Sequence, residues 1–203
     1  MITIIDYDAG NLTSVYRALK HIGVSAQISD NPKEIENAQK IIFPGVGHAK
    51  SAMRSLTQKG IDTALKNAFD KHIPILGICL GTQIILSHSQ EGDTQTLGLI
   101  EGNCVKFDAD LPIKIPHIGW NNIEISQKHF ILKDLDLQSE MYFVHSYYPV
   151  PADDKNVYAV CEHGIKFACA VGYENLFAVQ FHPEKSGEDG LEILKNFSLW
   201  NGE

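Results

Sequence analysis

The feature that most constrains this chain is the alternation of short apolar runs with helical patterns through its first half. Ile2–Tyr7 is apolar and β-branched and ends in Asp8-Ala9-Gly10. Leu12, Val15, Tyr16, Leu19 and Ile22 recur at helical spacing, so residues 12–22 read as an amphipathic helix closed by Gly23. Val24–Ser29 reads as a second strand, and Lys40–Phe43 as a third that stops at Pro44-Gly45. Helical patterns over 48–57 and 60–71 follow, then an apolar strand, Ile73–Cys79, and a helix over 82–88. Strands separated by helices pair through crossovers rather than hairpins. The pattern therefore predicts an α/β fold with a doubly wound, mostly parallel sheet and helices on both faces.

After Gly92 the texture changes. The β-rich runs Cys104–Phe107, Met141–Tyr148, Tyr158–Cys161, Ala168–Tyr173 and Phe177–Phe181 follow with little helix between them, which predicts an antiparallel-rich portion. Breaks at Ser126–His129 and Pro151–Asn156 separate them, and residues 187–200 restore a helix. No repeat, low-complexity stretch or linker interrupts residues 1–203, which read as a single domain. A chain this long buries a sizeable core without disulfides or metals. Cys79, Cys104, Cys161 and Cys169 show no paired spacing, which fits a reducing, cytoplasmic setting. A net charge of −8 argues against nucleic acid as the main partner. No run has the length of a membrane span or the layout of a signal peptide.

The strongest chemical signal is Gly77-Ile78-Cys79-Leu80-Gly81, between an apolar strand and a helix. A G-x-S-x-G turn lifts a nucleophile clear of a sheet by the same logic. A helix start presents unpaired N–H groups that favour a thiolate. Taken alone, a buried cysteine in a packed βα turn explains these residues equally well. The balance shifts at Phe177–Phe181, an apolar strand that runs into His182-Pro183-Glu184. Proline keeps the residue before it extended. If the chain stays extended through Glu184, residues i and i+2 share a side, and Glu184 can orient the imidazole toward Cys79.

Pro44-Gly45-Val46-Gly47, Gly77–Gln83 and Gln180-Phe181-His182-Pro183-Glu184 resemble the three hallmark blocks of class I glutamine amidotransferases. More narrowly, the chain is similar to the glutaminase subunits of imidazole glycerol phosphate synthases, which serve histidine biosynthesis. Asp6-Tyr7 with Gly10-Asn11-Leu12, Pro116–Asn121, Tyr142–Tyr147 and Lys185-Ser186-Gly187 carry that narrower likeness, which spans nearly the whole chain. Two departures stand out: Asp8 where relatives commonly carry Gly, and Thr13 where they carry Arg.

The resemblance implies a Cys79, His182, Glu184 triad that hydrolyses glutamine to glutamate and ammonia, without a cofactor or metal. It implies oxyanion donors at Leu80 N–H and the Gly45-Val46-Gly47 peptides, whose glycines would permit a peptide flip coupled to a partner. Gln83, Glu91, His145, Ser146 and Tyr147 would hold glutamine. Asn11, Trp120, Asn121, Tyr142 and Lys185 would face a (βα)8-barrel cyclase that accepts the ammonia in a heterodimer. Rival readings are the same glutaminase feeding a sugar-modifying synthetase, a γ-glutamyl cysteine hydrolase, or a non-catalytic module on this fold. Cys161 and His163 offer two metal ligands, but no second pair at zinc-type spacing follows.

Overall fold

The computed structural model describes residues 1–136 and 139–203. Its thirteen strands are β1 (Ile2–Ile5), β2 (Ala26–Ser29), β3 (Lys40–Gly45), β4 (Ile75–Cys79), β5 (His88–Ser89), β6 (Thr94–Gln95), β7 (Gly102–Lys106), β8 (His117–Ile125), β9 (Glu140–His145), β10 (Tyr147–Pro151), β11 (Val157–His163), β12 (Ile165–Tyr173) and β13 (Leu176–Val179). Its α-helices are α1 (Leu12–His21), α2 (Pro32–Glu36), α3 (Ala49–Lys59), α4 (Ile61–Asp70), α5 (Leu80–Ile84) and α6 (Gly187–Leu199).

One nine-stranded sheet runs β2-β1-β3-β4-β13-β12-β11-β8-β9, and a four-stranded sheet runs β10-β7-β5-β6. The first five strands of the large sheet pair in parallel, and the remaining pairs are antiparallel. The expected division between a parallel first half and an antiparallel later half is thus present. Strands buried on both faces read as continuous apolar runs. Ile42, Ile78 and Val179 join Val15, Leu19 and Phe197 of α1 and α6 in one core cluster. Ile41, Phe43, Ile75 and Ala178 join Leu56 and Leu65 of α3 and α4 in another. Helices therefore cover both faces.

Several boundaries differ from the sequence reading. The helix expected over 82–88 stops at Ile84. The backbone N–H groups of Leu97, Leu99 and Gly98 take the carbonyls of Ile84, Ile85 and Leu86, ending the helical ladder. The single run Met141–Tyr148 is two strands, because the chain leaves the large sheet at Ser146 and enters the small one. Strand β8 and the five-residue helix α2 were not expected.

The chain reverses winding direction between β1 and β3, and ligands in such sheets bind at the carboxyl ends of strands beside that point. Tyr7, Gly45 and Cys79 all lie at those ends, and His182 follows β13 at the same edge. The edge is tightly packed, since a Cβ on Gly81 would fall 2.0 Å from the carbonyl oxygen of Phe43. Gly81→Ala should therefore cost about 3 kcal/mol or more, the upper range for overpacking against backbone. Urea denaturation measures this; an unchanged midpoint would show that the turn relaxes freely.

Candidate active site

Cys79 ends β4 and caps α5 with φ 54° and ψ −105°, a backbone conformation that L-residues rarely adopt. It is 5% exposed. The five-residue α5 is shorter than the sequence implied, so the local turn, more than a long helix dipole, sets the cysteine's environment. Thr82 anchors the turn from beneath, donating from Oγ1 to the Val179 carbonyl at 2.6 Å.

His182 and Glu184 meet as expected, but by a different route. His182 is extended (φ −103°, ψ 93°), whereas Pro183–Lys185 forms a 3-10 turn that brings Glu184 back under the ring. His182 Nδ1 and Glu184 Oε1 lie 2.8 Å apart, with both side chains almost wholly buried. A Ser186 hydroxyl donates to the His182 carbonyl at 2.6 Å and accepts from Tyr142 N–H at 3.0 Å. His182 N–H also donates to the Tyr142 carbonyl at 2.9 Å, so the segment is locked to β9.

Burial works against a charged His182, but hydrogen bonding and charge from Cys79 and Glu184 outweigh it and raise the pKa to about 10. Among the described residues, His182 Nε2 and Glu184 Oε2 have no hydrogen-bond partner of ordinary geometry. An unsatisfied ring nitrogen facing a cysteine is the arrangement proton transfer requires.

A 290 Å³ cavity opens above Cys79, lined by Val46, Gly47, Leu80, Gln83, Glu91, Pro116, Val144 and His145–Tyr147. A larger groove of about 420 Å³, lined by Tyr148, Val150 and Phe167, contains none of Cys79, His182 and Glu184. Gly47 has φ 111°, a value suited to glycine, and Val46 projects outward with 40% exposure. The expected oxyanion and glutamine residues that line this cavity are thus together, with Gly45 paired to Cys79 in the sheet register.

The cavity residues are not equally free. Gln83 Nε2 donates to the Tyr147 carbonyl at 3.0 Å and to Gln180 Oε1 at 3.2 Å. Glu91 Oε2 accepts from Ala49 N–H at 2.6 Å, capping α3. Both His145 nitrogens are engaged, with Tyr147 O at 2.8 Å and His117 Nδ1 at 3.0 Å. Burial, reinforced by neighbouring histidines, pushes His145 down to about 3 despite that bond to Tyr147.

Gln180 was quoted in the third block but given no role. Its Nε2 lies 3.9 Å from Cys79 Sγ. Its position two residues before His182 in extended chain was the available signal.

The residues expected at a partner surface fall into separate groups. Trp120, 53% exposed, meets Tyr142 edge-on at 6.0 Å, and Lys185 Nζ lies 5.8 Å from the Tyr142 ring centre. Asn121 points to the opposite face of β8, donating to the Glu162 carbonyl at 2.8 Å and approaching His117 Nε2 at 3.3 Å. Asn11 precedes α1 and accepts from Ser14 Oγ at 2.8 Å. Cys161 and His163 lie on β11; the His163 ring stacks on His117, and its Nε2 pairs with the Lys114 carbonyl at 2.8 Å.

Residues 3–200 match the family described as "Glutamine amidotransferase class-I". The chain belongs to that family. It is 47% identical over 203 residues to imidazole glycerol phosphate synthase subunit HisH of Maridesulfovibrio salexigens, covering 97% of this chain and 95% of the relative. The HisH subunit of Dechloromonas aromatica is 45% identical over 210 residues, with 98% and 96% covered. Among solved structures, PurLQS from Thermotoga maritima matches with a TM-score of 0.75 at 19% identity, covering 97% of this chain and 96% of that one. The glutaminase domain of Trypanosoma brucei CTPS matches at 0.64 with 17% identity, covering 98% and 93%. These structural likenesses establish a shared fold.

Pairing of His182 contributes stability that depends on pH. Its folded pKa of about 10 lies above the ordinary 6.5, so its pairing stabilises the fold fully below about pH 6.5 and is lost as pH rises through about 10. Glu184→Gln should lower Tm most near pH 6.5, and the gap from the native chain should close toward pH 10. A gap that stays constant in thermal melts across this range would contradict the charged pair.

Proposed function

We propose that this chain is the glutaminase subunit of an imidazole glycerol phosphate synthase in histidine biosynthesis. It hydrolyses glutamine and passes ammonia to a (βα)8-barrel cyclase subunit. The observation that carries this reading is the buried Cys79, His182, Glu184 constellation at one sheet edge, in a chain 47% identical to subunits of that name over 97% of its length. Residues 1–203 act as one glutaminase domain, and the four free cysteines suit a reducing cytoplasm. No described helix is long and apolar enough to cross a membrane.

In this mechanism the Cys79 thiolate attacks the side-chain amide carbon of glutamine, and the carbonyl oxygen becomes a tetrahedral oxyanion. Leu80 N–H and the Gly45-Val46-Gly47 peptides stabilise it, a contribution worth about 10²–10³ in rate per donor in other hydrolases. His182, charged up to about pH 10, already holds the proton that the leaving nitrogen needs. The carbon–nitrogen bond breaks, ammonia departs, and a glutamyl thioester remains on Cys79. His182 then takes a proton from water, whose oxygen attacks the thioester and releases glutamate and the thiolate. Glu184 fixes the proton on Nδ1 and stabilises the imidazolium throughout.

Glutamine's amino-acid end extends toward Gln83, Glu91 and the 145–147 turn. Glu91 spends Oε2 on Ala49, leaving Oε1 for the substrate ammonium. His145 holds the turn in place through its two ring bonds, while Ser146 and Tyr147 present groups to the α-carboxylate. Trp120, Tyr142 and Lys185 form one cluster suited to the cyclase, while Asn11 before α1 and Asn121 on the other face of β8 would meet it separately. Such docking matters chemically because ammonia released into water would be protonated and lost.

Cys79→Ala should reduce glutamine-dependent synthesis on the order of 10³-fold or more while leaving synthesis from added ammonium intact. The assay is product formation by the reconstituted complex with each nitrogen source. Persistent glutamine-dependent turnover would remove Cys79 from the mechanism. Peptide cleavage without ammonia release from glutamine would favour a γ-glutamyl hydrolase instead.

A further inference from the structure

Tyr7, just beyond β1, is fully buried at 0% exposure, with its ring tilted on Phe43 at 5.2 Å. Its hydroxyl has no hydrogen-bond partner among the described residues. Buried tyrosine hydroxyls normally reach a partner, so this one asks for an explanation. Burial, with Cys79 acting in the same direction, raises its pKa well above the ordinary 10. The group is therefore a neutral O–H donor, within electrostatic range of the nucleophile.

Its position is specific. A Cβ on Gly45 would fall 1.9 Å from the Tyr7 hydroxyl oxygen and 3.1 Å from Leu80 Cβ. Val46, Gly47, Cys79 and Leu80 line the cavity, whereas Tyr7 lies behind them. The hydroxyl thus lies against the Gly45 backbone, outside the residues that line the cavity.

A trans peptide is planar, and its N–H and C=O point in opposite directions. For Val46 N–H to face an oxyanion at Cys79, the Gly45 carbonyl of the same peptide must face away from the cavity. The Tyr7 hydroxyl lies against Gly45 and outside the cavity lining. We propose that the Tyr7 hydroxyl donates to the Gly45 carbonyl when the Gly45–Val46 peptide is turned to bind the oxyanion, making Tyr7 a positioning residue for that donor. The hydroxyl lacks an acceptor in the present arrangement and gains one in the productive arrangement, so it biases the strand toward productive geometry. This inference rests on the glutaminase reading and deepens its account of the oxyanion hole.

Tyr7→Phe removes one oxygen and keeps the ring. In the reconstituted complex, kcat with glutamine should fall about tenfold, the effect of one hydrogen bond, with KM changed less than about twofold. Synthesis from ammonium should be unchanged. Tm should be equal or higher, since an unpaired buried hydroxyl has been removed. Glutamate γ-semialdehyde, whose aldehyde forms a tetrahedral adduct with cysteine, should bind more weakly by the same factor as kcat. Alkylation of Cys79 by iodoacetamide should keep its rate. Unchanged kcat and aldehyde affinity would overturn the proposal, as would a kcat loss with lowered Tm and unaltered aldehyde affinity. If the native complex releases no glutamate from glutamine, the glutaminase reading itself fails; an active native complex indifferent to Tyr7→Phe sinks only this inference.

Discussion

The positive φ of Cys79 is sustained by pairing on both sides of its strand. Sparsely populated conformations of this kind cost of order 1–3 kcal/mol and persist only where the surroundings over-determine them. Here β4 runs in parallel register with β3 and β13, placing Ile78 beside Pro44 and Val179, and Cys79 beside Gly45. The Thr82 hydroxyl ties the far side of the turn to Val179. One register therefore sets Cys79, the glycine strand and the chain leading to His182. A slip in either pairing would separate all three.

The parallel half was legible because its strands are continuous apolar runs with helical patterns between them. The Cys79, His182 and Glu184 cluster was legible because each residue lies in a short, chemically distinctive block. Strand β8 was not: Gly119, Asn121 and Asn122 interrupt its alternation, and Ile118 and Trp120 face outward at 61% and 53% exposure. Such a strand lacks the buried period-2 stripe that marks one in sequence. Helix α2 spans less than two turns and shows no periodicity. The passage from β9 to β10 was hidden because apolar alternation does not say which sheet a residue joins. Tyr7 was quoted with Asp6 but given no role, since an aromatic at the end of an apolar strand reads as core, and only the missing partner at its hydroxyl distinguishes it.

Of the two departures from the family pattern, Asp8 has a structural account. Its φ of 65° is left-handed, a region glycine enters freely and aspartate tolerates. The carboxylate accepts from Ser55 Oγ and Lys59 Nζ, both at 3.0 Å, and Lys59 chiefly lowers its pKa. This clasp ties the loop after β1 to α3, and the same loop brings Gly10 against Gly45 and Pro44. An exposed pair adds little stability, so its consequence is placement of the loop beside the glycine strand. Nothing in the structure explains Thr13.

The polar side of the site forms one connected path with its proton positions determined. Tyr147 O can only accept, so His145 Nδ1 carries a proton and His145 Nε2 must accept from His117 Nδ1–H. His117 Nε2 then accepts from Asn121 Nδ2, at 3.3 Å. Burial, with His163 adding to it, lowers His117 to about 4, so both rings stay neutral near pH 7. Tyr147 O also receives Gln83 Nε2, which reaches Gln180, and Gln180 Nε2 faces Cys79 Sγ. Neutral imidazoles in this path place no competing positive charge beside His182. Burial lowers His117 and His145, whereas pairing with Cys79 and Glu184 raises His182. His117 and His145 are thus kept neutral chiefly by burial, while the Glu184 carboxylate helps hold a proton on His182.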